Sequence, residues 1–172
     1  MRKALLAIFL LFSFNLYGAG AKIDIPKYDW SWKGFFGTYD RASAQRGLKV
    51  YREVCAGCHS MNYLSYRNLA DLGFSEDHIK AIAAEHLVLD GPNDEGEMFE
   101  RDGIPSDQFV NPYLNEKAAR AANNGAYPPD LSLIVKARPK GADYIKALLL
   151  GYVDPPEDIK VPKGQHYNKF MA

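Results

Sequence analysis

An all-α fold closed around a covalently attached cofactor is what this sequence predicts, and three observations carry the prediction. Apolar residues recur at three- and four-residue spacing along much of the chain, the repeat of a buried helix face. No stretch shows the convincing period-two alternation of a half-buried strand, and no segment repeats another. The only two cysteines stand in one pentapeptide, Cys55-Ala56-Gly57-Cys58-His59. With 172 residues, 47% of them hydrophobic, the chain suits one domain with a sizeable core rather than general disorder. Formal net charge is zero, which removes any bulk-charge argument for nucleic-acid binding.

Residues 1–21 read as a signal peptide. Arg2 and Lys3 precede an apolar run from Ala4 to Tyr17, and small residues Gly18 to Ala21 follow, the order of an export signal and its cleavage site. The other reading, a membrane anchor, is disfavoured because the run falls short of the roughly 20 residues that span a bilayer. Residues 22–172 are then the exported domain, periplasmic in a bacterium.

The domain opens with an aromatic arm, residues 22–40, holding Trp30, Trp32 and Phe35-Phe36 between Gly34 and Gly37. Ser43 reads as the cap of a helix carrying Ala44, Leu48, Tyr51 and Val54 into the cysteine motif. Gly47 inside it suggests a close approach by another helix. A short helix is expected over Tyr63 to Leu72, stopped by Gly73. The next opens at Ser75, with Glu76 and Asp77 in its first turn and Ile79, Ile82, Ala83 and Leu87 on one face. Residues 90–114 read as a long loop rich in Gly, Pro, Asn and acids. Further helices are expected from Asn115 to Asn124-Gly125, from Pro128-Pro129 through Val135, and from Ala142 to Leu150. In the last, Tyr144, Ile145, Leu148 and Leu149 should be buried.

The cysteine motif decides the chemistry. A redox CxxC wants a βαβ context that is missing, and His78 and His86 are wrongly spaced for a zinc site. C-x-x-C-H in an exported chain is the signature of c-type haem attachment. Cys55 and Cys58 would form thioethers to one haem c, and His59 would ligate its iron. The sixth ligand stays unassigned. Met1 leaves with the signal, Met61 lies two residues from His59, Met98 sits in the acidic loop, and Met171 is penultimate.

The run Gly47 to Tyr66 resembles cytochrome c1, the haem subunit of the cytochrome bc1 complex (quinol:cytochrome c oxidoreductase). So do Asp90 to Phe99, Ala118 to Ala126, Pro128 to Ser132, and the Gly151-Tyr152 and Asp154-Pro155-Pro156 pair. The resemblance implies a c-type cytochrome fold, with Arg138 and Tyr144 contacting haem propionates or lining the pocket. It implies that Asn123 and Pro129 border the ring. The plainer alternatives are a solvated helix-end cation for Arg138 and a packed core aromatic for Tyr144. In the family, the segment matching Gly164 to Phe170 is followed by an axial Met and a C-terminal membrane anchor. The chain is therefore expected to be an N-terminal portion of such a protein, its fold incomplete at the C-terminus.

Asp90, Asp94, Glu95, Glu97, Glu100, Asp102 and Asp107 concentrate negative charge, with only Arg101 opposing. Such a cluster steers a basic partner; the plainer account is a solvated surface. The resemblance implies that loop 90–107 docks soluble cytochrome c, and that cytochrome b and the Rieske iron–sulfur protein are further partners. The leading function is electron transfer at the periplasmic face of a bacterial inner membrane, with no catalytic residue in this subunit itself. The alternative is a free-standing periplasmic c-type cytochrome, either a shuttle or a haem enzyme or sensor with an open sixth site.

Overall fold

The computed structural model describes residues 23–171, so the expected signal peptide lies outside the described residues. Residues 27–145 form one compact unit, and residues 146–171 belong to another together with 23–26. Among the described residues, no helix is long and apolar enough to cross a membrane.

Helix α1 spans Arg41–Glu53 and starts two residues before the expected cap. Asp40, not Ser43, caps it, its carboxylate accepting from the Ser43 amide at 3.1 Å. The buried side chains of α1 are Leu48 and Tyr51. Gly47 faces open space, with nothing within 4 Å of where a Cβ would stand, so the expected close helix approach is absent among the described residues.

A 3₁₀ turn at Cys55–Gly57 follows, then a 3₁₀ helix at Tyr66–Leu72. The second starts later than expected because the Tyr63 amide donates to Ser132 Oγ and the Tyr66 amide to the Asp107 carbonyl. Helix α2, Glu76–Ala84, is capped by Ser75 as read from sequence. Leu48, Tyr51, Tyr66, Leu69, Ile79, Ile82, Ala83 and Phe109 make the core of this unit, and Cys55, Ala56, Met61 and Leu131 pack against it. The CxxCH motif is thus seated on the core rather than on a free loop.

Helices predominate, but the fold is not purely α. Leu87–Asp90 (β1) and Phe99–Asp102 (β2) pair antiparallel, with Leu87 opposite Asp102 and Asp90 opposite Phe99. Leu87, expected on the apolar face of α2, therefore lies on β1 and is 58% exposed. The hairpin escapes pattern reading because neither strand buries a face, so no apolar alternation is required of it. Its tip is closed by Asn93, whose side chain accepts from the Glu95 and Glu97 amides. Gly91 and Gly96 hold φ of 118° and 86° there, and a Cβ on Gly91 would stand 2.9 Å from the Glu97 carbonyl oxygen.

The segment after β2 is likewise no free loop. Arg67 donates its amide to the Pro105 carbonyl and Phe109 to that of Leu64, which buries Phe109.

Helix α3, Glu116–Ala122, is capped by Asn115 and ends at left-handed Asn124 and Gly125, as expected. The helix expected from Pro128 is reduced to one turn, α4, Ile134–Ala137. Residues 129–132 are held instead by bonds to residues 59–63. Pro139 also biases Arg138 to its extended conformation, ending the turn. Helix α5 spans Ala142–Leu150. Ala147 is its buried residue; Tyr144, Ile145 and Leu148 are half-buried and Leu149 is 65% exposed, against the expectation of burial. In the C-terminal unit, Tyr152 bridges Asn168, whose side-chain amide donates to the Leu148 carbonyl at 2.7 Å.

The aromatic arm is a stacked turn. Trp30, Trp32 and Tyr39 stack in series, and Trp30 Nε1 donates to Asp143 at 2.6 Å, while Phe35 and Phe36 stand exposed.

Candidate functional site

Helix α1 delivers Cys55 at its C-terminal end, and the 3₁₀ turn then folds the motif back on itself. The amides of Cys58 and His59 both donate to the Cys55 carbonyl, at 3.1 and 2.9 Å. Both thiols are free; Cys55 is half-buried and Cys58 exposed. Among the described residues, no three His, Cys, Asp or Glu side chains are grouped to share a metal ion.

His59 is held at two points. Tyr51 Oη donates to its carbonyl oxygen at 3.2 Å, and its Nδ1 lies 2.8 Å from the Pro129 carbonyl oxygen. A carbonyl only accepts, so Nδ1 carries a proton, and in the neutral ring Nε2 then presents its lone pair. That is the tautomer a metal requires of a histidine ligating through Nε2. Two free thiols separated by two residues, followed by a histidine so oriented, are a donor set that fits a covalently held haem. Cys55, Cys58 and His59 would hold it.

Asp130 ties this turn to the Pro129 segment. Its Oδ2 accepts from Ser60 Oγ at 2.9 Å and the Asn62 amide at 2.8 Å, and its Oδ1 accepts from the Ser132 amide at 2.8 Å. The Leu131 amide donates to the Ser60 carbonyl at 2.9 Å. Burial alone would raise the Asp130 carboxyl, but these hydrogen bonds outweigh it and hold the group below its ordinary range.

Of the residues expected at the site, Cys55, Cys58, His59 and Pro129 come together, Pro129 through its backbone oxygen. Asn123 caps the end of α3, and its amide donates to Tyr113 Oη at 3.0 Å. Tyr113 in turn lines a cleft of about 240 Å³ shared with Cys58, Ser60 and Pro128. Arg138 stands exposed at the end of α4, and Tyr144 lies half-buried on α5; neither belongs to this hydrogen-bonded cluster. Met61 packs against the core, whereas Met98 and Met171 are exposed. Tyr51, Ser60 and Asp130 escaped sequence reading as site residues: each acts through a partner that only the folded chain supplies.

Tyr51 gives the site a pH signature. Burial, and then the Asp130 charge, push its phenol up from 10.0 to about 12. A raised acid binds its proton more tightly when folded, so this contribution is complete below about pH 10 and is lost as pH rises through about 12. Denaturant midpoints measured from pH 9 to 12 should fall over that window, and Tyr51→Phe should flatten the fall. An equal fall in both chains contradicts the assignment.

The acidic segment is divided by the hairpin. Arg101 Nε donates to Asp90 Oδ2 at 2.5 Å, and its Nη1 and Nη2 grip the Asp107 carboxylate at 2.7 and 3.1 Å. These bonds lower the Asp90 and Asp107 carboxyls. Asp94, Glu95, Glu97, Glu100 and Asp102 remain exposed around the hairpin.

Comparison with known proteins returns one consistent answer. The model of the "Cytochrome C1 family" matches residues 30–172. The chain is 55% identical over 149 residues to a mitochondrial cytochrome c1 heme protein of Arabidopsis thaliana, covering 87% of this chain and 48% of that protein. It is 56% identical over 130 residues to a cytochrome c1 of Rhodospirillum rubrum, covering 76% of this chain and 48% of that one. To a "Cytochrome b-c1 complex catalytic subunit" of Candida albicans it is 51% identical over 147 residues, covering 85% and 51%. The chain thus spans about half the length of these relatives.

Proposed function

The chain belongs to the cytochrome c1 family, and from that premise we propose that it carries electrons within a cytochrome bc1 complex, from a Rieske iron–sulfur protein to a soluble cytochrome c. The observation that carries the reading is the 2.8 Å contact between His59 Nδ1 and the Pro129 carbonyl, next to two free thiols. Haem c, when bound, supplies the one-electron iron couple. Cys55 and Cys58 anchor it covalently, and His59 offers Nε2 to the iron. Tyr51 and Pro129 restrain the imidazole at its backbone and ring, so little of the protein needs to reorganise on electron transfer. Val54, Leu133 and Val135, on segments flanking the site, are 70%, 53% and 50% exposed, apolar surface suited to a macrocycle. Asn123, Arg138 and Tyr144 are proposed as further haem contacts, on the family resemblance.

Cytochrome b as a partner is supported by the Candida relative, named as a subunit of a cytochrome b-c1 complex, and a soluble cytochrome c by the exposed hairpin acids. The basic start and apolar run of residues 2–17 support export. A domain of residues 22–172 facing the periplasm follows from that reading. In the full-length, assembled protein, His59→Ala should keep stainable haem on the chain yet lose electron delivery to soluble cytochrome c. Undiminished delivery would contradict the assignment of His59.

A further inference from the structure

We propose that Asp130 is a positioning residue for His59, holding the Pro129 carbonyl against the ring's Nδ1–H. The imidazole's partner, the Pro129 carbonyl, lies 70 positions away in sequence, and it is held only as firmly as its own segment. Asp130 is the next residue, and its carboxylate gathers three donors. Ser60 Oγ and the Asn62 amide come from the chain leaving the CxxCH turn, and the Ser132 amide from its own segment. The Leu131–Ser60 backbone bond closes the clasp. Hydrogen bonds to an ionised acceptor are the stronger kind, so the clasp sets the distance between ring and carbonyl.

The chemistry demands a carboxylate. Oδ1 faces the Ser132 amide and Oδ2 the Asn62 amide, and neither backbone donor can reverse. Asparagine has nearly the same shape, yet either orientation of its amide turns an NH₂ against a backbone N–H. One arm of the clasp must then open. A loosened Pro129 carbonyl frees Nδ1–H, weakens donation from Nε2 to a bound ferric iron, and raises the reduction potential.

This inference rests on His59 being the iron ligand. The test uses the full-length, haem-loaded, ferrous protein with ¹⁵N-labelled histidine, reading solvent exchange of the His59 Nδ1–H by NMR beside the midpoint potential. Asp130→Asn should exchange this proton about tenfold faster or more and raise the potential, with amides of Ile79 to Ala83 still protected. Unchanged exchange and potential in that variant would overturn the proposal. If Asp130→Asn fails to fold, Ser60→Ala decides: removing one of the three donors should accelerate exchange, and an unchanged rate overturns the proposal equally. A wild-type ring lacking the shifts of an iron-bound imidazole would instead remove the haem reading on which the proposal stands.

Discussion

Replacing both Cys55 and Cys58 by Ala in the full-length protein removes all haem that survives denaturing electrophoresis. Only thioether bonds resist that treatment, and the described residues offer no other thiol. The effect is complete loss rather than reduction, because a haem held only by His59 and apolar contacts dissociates when the fold melts. Each single replacement should retain stainable haem through its remaining thioether. The two sites are not equivalent: Cys55 is seated against the core while Cys58 is exposed. Losing the Cys55 bond should therefore disturb packing as well as attachment, visible as a lower Tm than in Cys58→Ala. Haem on the doubly substituted chain after denaturation would mean that another group anchors it.

Neutralising Asp94, Glu95 and Glu97 as their amides slows reduction of a basic soluble cytochrome c by on the order of tenfold at ~0.01 M salt, where charge is felt over roughly 30 Å. At ~0.15 M the range shrinks to roughly 8 Å, so wild type and variant should converge. The variant's rate should depend less steeply on ionic strength. The hairpin supplies an internal control. Asp107 is engaged by Arg101 and by the Ile104 amide, so Asp107→Asn should loosen the hairpin without reproducing the change in salt slope. Equal salt slopes in the triple variant and wild type would take docking away from this surface.

What sequence could and could not reveal follows from how far apart the interacting residues lie. The CxxCH motif is local: its turn is closed by bonds between residues three and four apart, so its chemistry was legible at once. The helix starts near Ser75 and Asn115 were legible for the same reason. Asp40 was missed for Ser43 although the two belong to one cap. The restraint on His59 was not legible, because Pro129 and Asp130 meet residues 59–62 only through the return of the chain. That engagement also explains why the helix expected from Pro128 shrinks to a single turn at Ile134. The hairpin was invisible for the opposite reason: its strands are short and exposed, and turn geometry and Arg101 stabilise it in place of a buried face. Leu149 follows the apolar spacing of α5 yet is exposed, since periodicity marks a face without saying whether anything covers it.

Haem carried on Cys55 and Cys58 can be read from the mass of a single peptide. Trypsin cuts after Arg52 and Arg67, releasing Glu53 to Arg67 with both cysteines and His59. From protein matured in an exporting, haem-competent host, that peptide should carry the mass of one haem, retained through reduction and alkylation, with neither cysteine alkylated. A peptide of unmodified mass that takes up two alkyl groups after reduction would mean that neither thiol holds haem.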